Sequence, residues 1–147
     1  MRKFLLLVAL VVAGYAGLTQ YRQLSPAGGR VTGVESVDDA ALVRAIESRA
    51  SGVLLQGQGK VIKVLPDDNN GSRHQRFILE LPSGQTLLIA HNIDLAPGIP
   101  SLKKGDTVVF HGEYEWNSKG GVIHWTHHDP AGRHVAGWLK HGGRTYQ

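Results

Sequence analysis

The chain contains no cysteine among its 147 residues. Disulfide frameworks, thiolate nucleophiles, iron–sulfur clusters and cysteine-ligated zinc are therefore excluded, and any metal has to be held by histidine or carboxylate. The same absence removes the acceptor that a lipoprotein needs. A strong excess of one charge is also missing. Residues 1–16 carry Arg2 and Lys3 and no acid, so without them 16 Lys+Arg against 12 Asp+Glu becomes 14 against 12, a net +2. The whole-chain pI of about 9.6 overstates how basic the remainder is, and the clustered cations of a strong polyanion binder are absent. No internal repeat is visible, and the H-E-x-x-H signature does not occur. Glycine, by contrast, is plentiful: 19 residues, nearly twice the average share of ~7%, which favours tight turns and bulges and argues against a helical bundle. With 41% apolar residues the chain can bury one modest core, and a single domain is expected.

The N-terminus reads as an export signal. Arg2 and Lys3 precede an apolar run from Phe4 to Ala13, then Gly14, Tyr15 and Ala16, the charged, apolar and small-residue order of a secretory leader cut after Ala16. Counted on to Leu18, the run spans roughly 22 Å as a helix, short of the ~30 Å hydrocarbon core. Residues 1–18 are thus expected to be a signal peptide. The alternative is an uncleaved anchor in which residues 4–18 meet the membrane with local thinning or snorkelling. Either way the rest lies outside the cytoplasm, released to the periplasm or beyond, or held at the inner membrane facing the periplasm. Residues 19–35, with Pro26, Gly28, Gly29 and Gly33, read as a linker.

A helix is expected over residues 36–52, packed on the domain. Ser36 can cap it, Asp38 and Asp39 suit its positive end, and Val37, Ala41, Leu42, Ala45 and Ile46 make one apolar stripe. Arg49 and then Gly52 close it.

Five strand-like runs follow within residues 53–147: Val53–Leu65, His74–Leu81, Gln85–His91, Asp106–Trp116 and Val122–His128. Turn clusters separate them, Pro66 to Gly71 and Pro82-Ser83-Gly84 among them. Gly57 and Gly59 mark places where the long first strand bends or bulges. Three meandering strands, a Pro-containing connector and a final hairpin follow the order of an OB-fold, so the fold class is all-β with one N-terminal helix, a five-stranded OB-fold-like barrel. The Gly137-Trp138 and Gly142-Gly143 pattern points to a last hairpin or a strapped tail anchored by Trp138.

Two strings near the C-terminus carry a closer resemblance. Gly120-Gly121-Val122-Ile123-His124-Trp125-Thr126-His127-His128-Asp129-Pro130 and Gly137-Trp138-Leu139-Lys140-His141 resemble those of a family of short exported bacterial proteins classed only as a domain of unknown function, over about residues 50–147. The resemblance implies the barrel fold and export, and it implies no activity, substrate or site.

Alternation assigns the faces. Val108, Phe110, Gly112, Tyr114 and Trp116 share the inner face of the fourth strand, and Thr107, Val109, His111, Glu113 and Glu115 the outer one. A four-residue turn at Asn117–Gly120 pairs Tyr114 with Ile123 and Gly112 with Trp125, seating the indole over a glycine. It also sets Glu113 across from His124 and His111 across from Thr126.

Five of the eight histidines fall between 124 and 141: His124, His127, His128, His134 and His141. Neutral imidazole is a good ligand for zinc or another divalent transition metal. On alternation, His111, His124 and His128 form the candidate trio, with Glu113 and Asp129 as base, ligand or orienting carboxylate if the protein is an enzyme. The bland alternative has these rings satisfying backbone and carboxylate groups where the barrel closes; a third has them sensing pH. Asp67 to Gly71 lacks the ligand spacing of a calcium loop and reads as a hairpin turn. Arg73, His74 and Arg76 beside that turn, together with Trp116 at the other hairpin tip, are the candidate ligand-binding residues, on the face OB domains commonly use. With Phe77, Phe110, Tyr114 and Trp125 assigned to the core, nucleic acid is a partner that the sequence allows without supporting. The expected function is an extracytoplasmic OB-fold-like binding module for an unidentified small or polymeric ligand. The alternative is a metal-assisted hydrolase such as a phosphodiesterase, and a purely structural envelope protein comes third.

Overall fold

The structure, a computed structural model, describes residues 39–147; the expected leader, the linker and positions 36–38 of the expected helix lie outside the described residues. Helix α1 runs over Asp39–Glu47. Its end differs from expectation. The helix stops at Arg49, which takes a left-handed φ of 54°, while the Ala50 N–H donates to Ala45 O and the Arg49 N–H to Ile46 O. Those two bonds cap the last carbonyls in a Schellman arrangement without a glycine. Gly52, expected as the stop, instead belongs to the first strand, at an irregularity between Ser51 and Val53.

Seven strands follow: β1 Ser51–Val64, β2 His74–Glu80, β3 Thr86–Asn92, β4 Thr107–Glu115, β5 Val122–His124, β6 Trp138–His141 and β7 Arg144–Tyr146. The sheet order is β1-β2-β3-β5-β4-β6-β7, and β1 also pairs with β4. That extra pairing closes β1 to β5 into an OB-like barrel, with β3 and β5 parallel and the other neighbours antiparallel. The protein is therefore a closed five-stranded barrel, with β6 and β7 added beyond β4. Lys60 marks the place where β1 changes partner, facing Thr107 on one side and Glu80 on the other. The β6–β7 hairpin turns through Gly142 and Gly143, both at positive φ, the requirement of a two-residue type I′ turn.

Gly57 and Gly59 do not mark bulges, as expected from the sequence; β1 runs through both in register with β4. They mark close approach. A Cβ at Gly57 would strike Leu42 Cδ1 and the Phe110 ring, and one at Gly59 would lie 2.8 Å from Glu80 O. Leu42 thus seats α1 in a notch that β1 leaves open. Inside, Val61, Phe77, Leu79, Ile89, Val108, Phe110, Tyr114, Ile123 and Leu139 are fully buried. β4 alternates as expected, with Val108, Phe110, Gly112 and Tyr114 inward. Among the described residues no helix is long and apolar enough to cross a membrane.

A further local expectation fails, and this one reshapes the site. β5 was expected to reach His128 but ends at His124, because Trp125 turns into a left-handed φ of 53°. The indole therefore does not lie over Gly112. The space above Gly112 is taken by the His124 carbonyl, Ile123 Cγ2 and Thr126 Cγ2. His111 faces Trp138 of β6 rather than Thr126.

Candidate functional site

β4 and β5 meet in the expected register, Tyr114 opposite Ile123 and Glu113 opposite His124. The period of two puts Glu115 on the same outer face as Glu113, so two carboxylates and one imidazole converge. One ligand atom from each of Glu113, Glu115 and His124 lies within 4.8 Å of the other two. His124 Nε2 is 3.6 Å from Glu113 Oε1 and 3.9 Å from Glu115 Oε1. Neither distance is a hydrogen bond. The nitrogen is nevertheless buried, with no hydrogen-bond partner, an expensive state for a polar atom unless something else contacts it.

The second oxygen of Glu113 and the Glu115 oxygen that faces His124 are both hydrogen-bonded within the protein. Glu113 Oε2 accepts from His134 Nε2 at 2.6 Å, and His134 Nδ1 donates to Val135 O at 2.7 Å. Glu115 Oε1 accepts the Gly52 N–H at 3.1 Å. The hydrogen bond to Glu113 holds the His134 pKa above the ordinary imidazole value, with the Val135 carbonyl adding to it. The same bond is the main cause that lowers the Glu113 carboxyl below its usual range, against the opposing effect of burial. His134 stacks on Trp125 with ring centroids 4.3 Å apart and planes 8° apart.

The loop between β5 and β6 brings His134 back to the barrel. Asp129 folds it by accepting the N–H groups of Ala131, Arg133 and His134, which also hold the Asp129 carboxyl below its usual pKa. Gly137 closes the loop: its N–H donates to His127 O, and a Cβ there would collide with the Trp125 carbonyl. The unusual backbone of Trp125 and the glycine at 137 are two sides of one close packing.

The sequence-derived trio does not assemble. His124 is in the cluster, but His111 and His128 are not among its donors. His111 Nδ1 donates to Ala136 O at 3.2 Å and its ring lies against Trp138. His128 is exposed, because the turn at Trp125 ends the alternation that would have returned it to the His124 face. Asp129 organises the loop backbone. The candidate ligand-binding residues have partners within the protein. Arg73 pairs with Asp94 at 2.7 Å, Arg76 donates to Pro66 O, and His74 Nδ1 donates to Ser72 O. Trp116 packs on the core with the Arg49 guanidinium 5.1 Å above its ring.

Sequence reasoning counted Glu115 and His134 without giving them a role in the centre. Glu115 was legible from its spacing to Glu113; His134 was not, since its place depends on a loop without periodicity. It also missed His91, buried in β3, whose Nε2 donates to Pro97 O and whose Nδ1 accepts from Thr126 Oγ1 at 2.8 Å. Burial lowers the His91 pKa, and the Pro97 carbonyl opposes that only in part.

The sequence model of one protein family, described as "Protein of unknown function (DUF3465)", matches residues 30–147, so the chain belongs to that family. No curated protein matches the chain.

Proposed function

We propose that this DUF3465 protein is an extracytoplasmic metal-ion-binding barrel, with one divalent transition-metal ion held by Glu113, Glu115 and His124. The observation that carries this reading is the buried, unpartnered Nε2 of His124 facing two carboxylate oxygens at 3.6 and 3.9 Å. Two donors on a tetrahedral ion with bonds of ~2.1 Å stand about 3.4 Å apart. His124 Nε2 is thus too far from either carboxylate oxygen to hydrogen-bond it and close to the spacing of ligands around a shared ion. One nitrogen and two carboxylate oxygens are a borderline donor set that suits zinc and its neighbours. Location outside the cytoplasm rests on the basic, apolar and small-residue order of residues 1–18.

Binding is favoured over hydrolysis by the fate of Glu113. A metal-assisted hydrolase would need a free base beside the ion, but here Glu113 is itself a donor and its second oxygen is taken by His134.

The test uses untagged full-length chain, stripped with a chelator and titrated with zinc against a chromophoric competitor. One zinc per chain is expected, with binding abolished in Glu113→Gln/His124→Ala. Sub-stoichiometric zinc, or equal binding by the double variant, refutes the assignment. Cell fractionation with an antibody tests location, and a cytoplasmic pool alone refutes it.

A further inference from the structure

Several groups surround the Glu113–Glu115–His124 set without donating to it. His134 is the closest in chemistry, an imidazole on a ligand carboxylate, yet both of its nitrogens are already committed. Nε2 meets Glu113 Oε2 at 2.6 Å and Nδ1 meets Val135 O at 2.7 Å. Neither nitrogen offers a lone pair to an ion. The ring has little freedom to change this: Trp125 stacks on it, and Asp129 accepts the His134 backbone N–H at 2.9 Å. A loop of the chain therefore clamps one oxygen of one ligand.

That clamp has a chemical consequence. Glu113 Oε2 is held, so only Oε1, the atom 3.6 Å from His124 Nε2, is turned to the centre. Calcium takes six to eight oxygens and makes use of carboxylates that bind through both atoms. Magnesium asks for octahedral oxygen ligands and keeps its waters. A zinc-type ion needs only one nitrogen and two single oxygens, with water filling a fourth position. Resting on the metal-binding reading above, we propose that His134 is a positioning residue that makes this centre selective for zinc-type ions over calcium and magnesium, by holding Glu113 as a one-oxygen ligand. Partners behind a metal ligand commonly set affinity by 10- to 100-fold, and here the partner sets the number of oxygens as well.

His134→Phe keeps a flat ring against Trp125 and removes the donor, and His134→Asn removes the reach without adding apolar bulk. His134→Gln retains an N–H that can extend to Glu113. The full-length, chelator-stripped chain and each variant are titrated with zinc, with and without millimolar calcium, and their cobalt(II) visible spectra are recorded. Far-UV circular dichroism checks folding. The expected result is a zinc affinity lower by about tenfold or more in the Phe and Asn variants, with calcium now competing. The cobalt band should weaken as Glu113 binds through both oxygens and the coordination number rises. The Gln variant should restore most of the discrimination. If the Phe variant does not fold, the Asn variant carries the same expectation. Folded variants with unchanged zinc affinity, calcium discrimination and cobalt spectrum overturn the role of His134 while leaving the metal centre standing. A wild-type chain that takes up neither zinc nor cobalt overturns both.

Discussion

Replacing Gly112 by alanine tests whether β5 lies against β4 as closely as the candidate centre requires. Gly112 is flanked by His111 and Glu113 in β4, and it faces inward. A Cβ there would come within 2.8 Å of Ile123 Cγ2 and 2.9 Å of Thr126 Cγ2, and closer still to the His124 carbonyl oxygen, whereas ordinary contact begins at 3.4 Å. Against Ile123 alone the shortfall is about 0.6 Å. The backbone of β5 has to retreat by at least that much, because a strand carbonyl cannot swing aside as a side-chain tip can. In an open site alanine is better than glycine in a strand by roughly 0.5–1 kcal/mol. Overpacking of this kind costs about 1–3 kcal/mol, so the sign reverses and the expected net loss is about 1 kcal/mol. At an unfolding entropy of about 2.1 cal/mol/K per residue over the described residues 39–147, that lowers Tm by on the order of 4 °C. The retreat also carries His124 away from Glu113 by more than the ~0.2 Å tolerance of a metal–ligand bond, so zinc affinity should fall with stability. Urea unfolding followed by circular dichroism, alongside the zinc titration, reads both. A Gly112→Ala protein as stable as wild type or more so would refute the close approach of β5, whatever its zinc affinity.

Leu42→Ala should cost about 3.5 kcal/mol, the middle of the range for a fully buried leucine, because Leu42 fills the notch at Gly57 and is completely buried. Calorimetry checks it, and a loss below about 1 kcal/mol would mean that α1 is not docked there. In the metal-free protein, NMR titration should find His91 losing its proton below the ordinary value of 6.5 and His134 above it; the reverse order refutes the hydrogen-bond assignments. The signs follow by linkage. His91, with its pKa lowered, contributes stability present above 6.5 and lost as pH falls below it. His134, with its pKa raised, contributes stability present below 6.5 and lost as pH rises through its folded value. Glu113, lowered from 4.5, adds stability that is lost as pH falls through its folded pKa. Zinc at a hundred times its Kd should raise unfolding free energy by about 2.7 kcal/mol, and a Tm unmoved by zinc contradicts a site confined to the folded state.

The barrel was readable because its strands obey a period of two and its turns use residues with few other uses. The run Thr107–Glu115 alternates so regularly that its inner face, its outer face and its register with Val122–His124 all follow from counting. The glycines were harder. A glycine can mean a positive φ, a bulge or a wall with no room for a Cβ, and sequence does not separate these. Gly142 and Gly143 serve the first purpose, while Gly57 and Gly59 serve the third. The helix end fails for a related reason: Arg49 accepted the left-handed position at the helix terminus, where hydrogen bonds to the last carbonyls offset the strain.

The pairing of Glu113 with His124 was right, but one of the physical reasons offered for it was not. Gly112 is vacant so that the backbone of β5 can approach, not so that an indole can rest on it. That difference decides which groups can act together. Extended by alternation, the strand carries His128 to the His124 face; stopped at Trp125, it leaves His128 in solvent and sends the chain through a loop that returns His134 to Glu113. A count of imidazoles near the C-terminus therefore grouped His124 with His111 and His128, whereas the structure places it beside Glu113 and Glu115. Side chains on paired strands are placed by register, which a sequence displays, and that places Glu113, Glu115 and His124. Side chains on a returning loop are placed by closure, here by three backbone N–H groups on Asp129 and a glycine under the Trp125 carbonyl. Closure depends on contacts between residues that no period connects, so the convergence of Glu113, Glu115 and His124 follows from counting along the strands while the return of His134 to Glu113 does not.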